Sequence, residues 1–345
     1  MTSPLVSVIL PVFNGSKSGL ATCLNSIVQQ ICSDMEIFVI DDCSSDNSVE
    51  IINRIMENSH KNYKLIIHSV NQGLSVSLNE GLDLSRGNYI LIIQQDCALR
   101  SKTELKESIQ YMIDGHNTVL VGTPLVDWKN LNRYQKLFKI RISEYFVFKE
   151  IHNIVYLSQL KCDLFAREIF SVIGPFDYTH KTVGQDFVMS SKLFLNSVTM
   201  YTFDKFTYSI QYEGEKTFRN LCTKEFRYAL AVPYVARFWT TSGLFKASKK
   251  GQTKNKNRSR FLNLLFPFLL FMTIGVFFLL RSNIIIAFVI SLLSAWIFRV
   301  LIATKVLSDK KHGLVLIITN ILLYIFLDII YACGFVFGTI YLLKK

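Results

Sequence analysis

The chain lacks the patterns that staple or metallate a fold. Its seven cysteines (Cys23, Cys32, Cys43, Cys97, Cys162, Cys222 and Cys333) form no CxxC pair and no metal-site spacing. That excludes a disulfide framework and a zinc module, and suits a reducing compartment. The N-terminus, Met1-Thr2-Ser3-Pro4, has no basic region, and the apolar run Leu5 to Leu10 is too short for a signal-peptide core. It reads as a first strand. Acid is missing from one end: residues 1–245 hold 24 Lys/Arg and 24 Asp/Glu, residues 246–345 hold 14 Lys/Arg and 2 Asp/Glu, and the second stretch supplies the whole formal charge of +12. A nucleic-acid binder carries its excess on the folded domain. Here the excess lies beside long apolar runs, so an anionic membrane surface is the expected partner and nucleic acid is not.

What is present in the first half is an alternation of strands and helices. Val6 to Leu10 is a β-rich run closed by Pro11, and Phe13-Asn14-Gly15 is a turn. Leu20 to Ile31 has helical spacing, with apolar residues at 20, 24, 27, 28 and 31. Ile37 to Ile40 is a second strand. Asp41-Asp42-Cys43-Ser44-Ser45-Asp46 follows it, with Ser45 or Asp46 as the N-cap of a helix reaching about Glu57. Leu65-Ile66-Ile67 is a third strand, and Asn71-Gln72-Gly73 turns into a helix with Leu74, Leu78 and Leu82. Then comes Tyr89 to Ile93, apolar and buried on both faces, ending in Gln94-Gln95-Asp96. This is the pattern of a doubly wound, mostly parallel α/β sheet. Asn14, Asp41, Asp42, Asn71 and Asp96 each follow a strand, so they share the sheet edge where such folds bind ligands. Further on, Thr118 to Val121 reads as a strand, 130–150 as amphipathic, Gln185-Asp186 as a helix start, and Phe218 to Trp239 as an interfacial or a core helix.

The last hundred residues read as a membrane region. Lys246 to Arg260 carries seven Lys/Arg and no acid, directly before the uncharged 20-residue run Phe261–Leu280. Ile284 to Ala303 is a second span, and 314–343 a third, long stretch that tilts, kinks or re-enters. Asp328 inside it reads either as a structural partner of Arg299 or a backbone group, or as a group facing substrate. The boundaries are then 1–240 for the α/β domain, 241–260 for a basic linker and 261–345 for an all-α transmembrane region. The two basic loops, 246–260 and 304–312, place the α/β domain on the cytoplasmic face of a multi-pass cell-membrane protein.

Taken in order, Pro11-Val12-Phe13-Asn14, the Asp41–Asp46 cluster, Asn71-Gln72-Gly73 with Asn79, Gly87-Asn88-Tyr89 before Gln94-Gln95-Asp96, Gly174-Pro175-Phe176-Asp177 and Gln185-Asp186 resemble family 2 glycosyltransferases of GT-A fold over about residues 5–230. The resemblance implies a nucleotide-sugar donor. The backbone at Pro11 and Phe13 flanks the base, and Asp42, with Asp41 beside it, meets the base edge. Asn14, Asn71, Gly73, Gln94 and Gln95 line the donor site. Asp96 holds Mg²⁺ or Mn²⁺ on the diphosphate, Asp186 acts as general base in an inverting displacement, and Arg227 contacts the diphosphate. The acceptor implied is a polyprenyl-linked saccharide or other glycan at the membrane lipid surface.

Three departures stand out. Gln94 replaces the first Asp of the DxD motif, Gln185 replaces the Glu before the base, and Leu78 stands where many members have Arg. Lys224-Glu225-Phe226-Arg227-Tyr228 is a poor match to QxxRW, which argues against a processive synthase. Two other readings stay open: a polyprenyl-phosphate sugar synthase, and a non-catalytic membrane subunit that keeps the fold.

Overall fold

The computed structural model describes residues 5–32, 34–125, 129–137, 154–155, 157–177, 184–211 and 217–241, with scattered positions between 293 and 340. The chain divides into two compact units. One comprises Met1–Asp127, Phe148–Gly214 and Val235–Gly251; the other comprises Trp128–Val147, Glu215–Tyr234 and Gln252–Lys345.

The first unit is built on an eight-stranded sheet. Strands β1 (Val6–Val12), β2 (Met35–Asp41), β3 (Asn62–Ile67), β4 (Tyr89–Ile93), β6 (Val119–Val121), β8 (Ile154–Val155), β9 (Cys162–Ala166) and β10 (Met200–Tyr201) run in the order β3-β2-β1-β4-β9-β6-β10-β8. The four strands β3, β2, β1 and β4 are parallel. Strand β9 lies antiparallel to both β4 and β6. Helices cover both faces. Helices α1 (Leu20–Val28), α2 (Ser48–Glu57) and α4 (Glu104–Gly115) bury Leu24, Ile27, Ile52, Met56, Leu105 and Ile109 against Val8, Leu10, Val39 and Leu91. On the other face α3 (Leu74–Leu84), α5 (Ile169–Ile173) and α6 (Gln185–Leu195) bury Leu78, Ile169, Met189 and Leu193 against Ile9, Ile40, Ile90 and Ile92. Each such Leu or Ile contributes about 1.5–3 kcal/mol on leaving water. Gly81 allows α3 to lie close to β1: a Cβ there would stand 2.5 Å from Ile9 Cγ2.

The local expectations held with identifiable shifts. Pro11 does not end β1; the strand continues to Val12 and pairs with Asp41. Strand β4 accompanies β1 only as far as Ile9, so beyond it Pro11 has no ladder to interrupt on that side. Helix α1 stops at Val28 rather than Ile31. The cap of α2 is Asn47, without a side-chain cap bond, yet Asp46 Oδ1 accepts the Ser48 N–H at 3.1 Å one position along.

A second sheet of β5 (Cys97–Leu99), β7 (Thr123–Leu125) and β11 (Thr207–Ile210) runs in the order β5-β11-β7. Buried Glu104 anchors it, accepting the N–H of Thr207 on one oxygen and those of Arg100 and Ser101 on the other.

In the second unit the part of α7 (Phe218–Thr241) up to Tyr234 packs on helical residues of the C-terminal stretch. Phe218 meets Phe326 with centroids 5.6 Å apart, and Phe226 meets Phe337 at 6.1 Å. A Cβ on Gly334 would stand 2.7 Å from Phe226 O and 2.8 Å from the Ala229 Cβ, so two small residues set the helix separation. Asp328 is buried and accepts Trp296 Nε1–H at 2.8 Å. Among the described residues no helix is long and apolar enough to cross a membrane. The expected span 261–280 lies outside the described residues, as do Arg299, 138–153, 304–321 and most of 284–303.

Candidate active site

The parallel strands end at one sheet edge, and the loops leaving them are laced together by side chains. At β1, Asn14 takes φ +48 and places its Oδ1 on the Ser45 N–H at 2.9 Å, while Ser44 Oγ accepts the Asn14 N–H at 2.8 Å. Asp46 accepts both the N–H and the hydroxyl of Ser16. Desolvation opposes the ionised form, but these bonds and those from Ser48 hold the Asp46 carboxyl below its ordinary range. Pro11 is buried in β1, whereas Phe13 exposes 46 % of its surface.

At β2 the two acids differ. Asp42 is 5 % exposed; its Oδ1 accepts the Gln72 N–H and its Oδ2 the Gly73 N–H, both at 2.7 Å. Gly73 has φ +94, which a side chain would strain, and this lets its N–H turn to Asp42 at the start of α3. Asn71 Nδ2 donates to the Asp42 carbonyl at 3.3 Å. The ring of His68 bridges Asp42 Oδ1 at 2.8 Å and Glu80 Oε2 at 2.7 Å. Desolvation lowers the His68 pKa, and the two carboxylates outweigh it, leaving the imidazole above its ordinary value. Asp42 therefore organises the loop between β3 and α3. Asp41 directs Oδ2 to the Ser44 N–H at 2.9 Å, and its buried Oδ1 has no hydrogen-bond partner among the described residues.

At β4 both amides are structural clamps. Gln95 Oε1 accepts the Phe13 N–H at 2.9 Å and Nε2 donates to Phe13 O at 3.0 Å. The Phe13 backbone expected beside a base is thereby committed to Gln95, and its exposed ring is what faces outward. Gln94 Nε2 donates to Leu160 O at 2.8 Å, and its N–H donates to Lys161 O at 2.9 Å. Asp96 follows, with its carbonyl held by the Gln211 N–H at 2.7 Å. Both Asp96 carboxylate oxygens accept from Lys161 Nζ, at 2.9 and 2.8 Å. Lys161 was not expected: a lone Lys before Cys162 gives no signal until β9 is laid antiparallel to β4, which sets Cys162 opposite Ile93.

Asp186 lies in the first turn of α6, half-buried, with Oδ1 accepting the Phe187 N–H at 3.0 Å. Burial pushes its carboxyl up to about 7, and nearby Asp163 adds to the rise. Backbone N–H groups and the Lys161 ammonium pull the other way. Ser190 Oγ donates to Asp186 O at 2.7 Å and accepts the Ser158 N–H at 3.0 Å, tying α6 to the turn that carries Lys161. Gln185 is buried beside it. Arg227 is exposed on α7 in the second unit.

No group of three His, Cys, Asp or Glu side chains converges on a metal position among the described residues. Asp96 offers one carboxylate. That fits a hard divalent cation whose remaining places are filled by phosphate oxygens and water, and does not fit a zinc site.

Comparison with known proteins bears on the fold that carries these residues. Residues 7–174 match the model of glycosyl transferase family 2. An uncharacterized glycosyltransferase of Haemophilus influenzae is 35% identical over 125 residues, covering 35% of this chain and 48% of that relative, about half its length. A PGL/p-HBAD biosynthesis glycosyltransferase of Mycobacterium bovis is 27% identical over 204 residues, covering 58% of this chain and 75% of the relative. The solved mannosyltransferase PcManGT from Pyrobaculum calidifontis, in complex with GDP-Man and Mn²⁺, superposes with TM-score 0.57 at 16% identity, over 97% of this chain and 88% of that one. At that identity the likeness is one of fold, and the fold is GT-A-like.

Proposed function

We propose that this chain, which carries a family 2 glycosyltransferase domain over residues 7–174, moves one sugar from a nucleotide-sugar to a hydroxyl acceptor at a membrane surface, with inversion. The observation that carries the reading is Asp186, a carboxyl pushed up to about 7 that feels the Lys161 ammonium seated on Asp96 and is tied through Ser190 to the turn that carries Lys161. A base near the working pH both exists as carboxylate and accepts a proton well. In the step, the acceptor oxygen forms a bond to the anomeric carbon and the bond from that carbon to the diphosphate oxygen breaks. The electron pair leaves with the nucleoside diphosphate, and the hydroxyl proton passes to Asp186.

On the donor side, Asp42 and Gly73 shape the loop at β2 and β3, Asp41 lies buried at the end of β2, and the exposed Phe13 ring offers a face for stacking. Asn14, Asn71 and Gln95 hold these loops in register. Asp96 would hold a Mg²⁺ or Mn²⁺ ion in place of the Lys161 ammonium that its two oxygens now accept from, and the bound ion would neutralise charge on the leaving diphosphate. The fold likeness to a mannosyltransferase solved with GDP-Man and Mn²⁺ supports a nucleotide-sugar and a divalent ion here.

The membrane reading rests on sequence: the basic run 246–260 before the uncharged 261–280, and the loop 304–312, orient the domain to the cytoplasm. Arg227, exposed on α7, and a lipid-borne acceptor such as a polyprenyl-linked saccharide belong to the same proposal. A polyprenyl-phosphate acceptor arrives ionised and needs no base, so a tuned Asp186 favours the hydroxyl. The test is Asp186→Asn in the full-length protein: sugar transfer to hydroxyl acceptors is lost while nucleoside diphosphate binding persists. Near-full transfer by that variant would overturn the base assignment.

A further inference from the structure

We infer that Lys161 is a resident cation of the donor site, an ammonium seated on Asp96 that meets the donor's diphosphate and lets the nucleotide bind without a divalent metal. The inference rests on the transferase reading above and adds to it a residue and a dependence.

The ion pair is chelating, with Nζ at 2.9 and 2.8 Å from the two oxygens of Asp96, and both side chains are mostly buried, at 26% and 17% exposure. A lone carboxylate at a strand end repels a diphosphate. One neutralised by a fixed ammonium does not, and the ammonium's N–H groups suit phosphate oxygens.

The lysine is also held in place with unusual care. Leu160, directly before it, is buried with φ +48, a backbone state that costs a branched residue about 1–3 kcal/mol. That state is over-determined: the Leu160 N–H is shared between Asp163 Oδ2 at 3.0 Å and Ser158 Oγ at 2.9 Å, and the Ser158 hydroxyl bonds Asp163. The two carbonyls on either side of the turn, of Leu160 and Lys161, both accept from Gln94. An aspartate at position 94 has no side-chain N–H to give to Leu160. The amide that replaces the usual acid and the lysine that sits on Asp96 are therefore one device. The site has lost one acid and gained one cation.

During transfer the bond between the anomeric carbon and the diphosphate oxygen breaks, and its electron pair stays on that oxygen. The Lys161 ammonium stabilises the charge there while keeping its own proton, and the acceptor's proton still goes to Asp186.

The experiment titrates UDP and GDP into the full-length protein by calorimetry, in EDTA and in excess Mn²⁺, for wild type, Lys161→Met and Lys161→Arg. The expected result is wild-type binding of one of these nucleotides in EDTA. Lys161→Met weakens it there by about 10- to 100-fold yet binds in Mn²⁺, which also shows that the variant is folded, and Lys161→Arg retains EDTA binding. Should Lys161→Met fail to fold, Gln94→Asp reads the same coupling: binding in EDTA falls and binding in Mn²⁺ strengthens. Wild-type binding that vanishes in EDTA overturns the inference and leaves the transferase reading standing. So does Lys161→Met binding in EDTA as wild type does. Absence of binding to either nucleotide in either condition overturns both.

Discussion

The side-chain amide of Gln94 donates to the carbonyl oxygen of Leu160 at 2.8 Å, and Leu160 is 1% exposed. A buried carbonyl that loses its partner costs about 1–3 kcal/mol. Gln94→Ala should lower the stability of the protein by that amount, read as a fall in the denaturant midpoint. An unchanged midpoint would mean that the amide does not hold the Lys161 turn.

The base assignment fixes a pH profile. Asp186 must be ionised to take the acceptor's proton, and its pKa stands at about 7 in the folded protein. Transfer should therefore fall as pH drops through about 7 and level off above it. In Asp186→Asn the residual rate, about 10²- to 10⁴-fold lower, should lose that inflection. An inflection near 7 that persists in the variant would assign it to another group.

His68 gives a stability profile of opposite sense. Its folded pKa is raised above the ordinary 6.5 by Asp42 and Glu80. The stabilisation is complete below the unfolded value and is lost as pH rises through the folded one. Melting temperature should decline over that window in wild type and less so in His68→Gln. Parallel curves for the two proteins would contradict it.

Asn79 joins α3 to the turn after α5. Its Oδ1 accepts the Phe176 N–H at 2.7 Å and its Nδ2 donates to Phe176 O at 3.0 Å, all buried. Asn79→Ala strands both backbone groups, so a loss of about 2–4 kcal/mol is expected in chemical denaturation. Asn79→Asp should recover only the N–H bond.

Much of this was legible in the sequence because it is written in local patterns. The apolar runs 6–10, 37–40, 65–67 and 89–93 became four adjacent parallel strands, and the Asp and Asn clusters after them do share one edge. Helix starts at Leu20, Leu74 and Gln185 were readable from spacing and turn residues. What was not legible depends on partners far apart in sequence. Gln95 clamping Phe13 and Gln94 holding Leu160 are bonds across 82 and 66 residues. The bonds of Asp42 to the His68 ring and the Gly73 N–H were not legible because these partners are presented only once β2 and β3 pair. Lys161 was invisible for the same reason: nothing in the spacing says that β9 enters antiparallel between β4 and β6.

The central claim is sugar transfer by the strand-end site. The most direct measurement presents the full-length protein, in membranes carrying polyprenyl-linked saccharides, with a panel of labelled UDP- and GDP-sugars and follows label into lipid. The account predicts transfer from one of these donors, lost in Asp186→Asn and weakened in Lys161→Met when metal is withheld. Label that enters lipid equally well with Asp186→Asn, or from none of the donors with wild type, would contradict it.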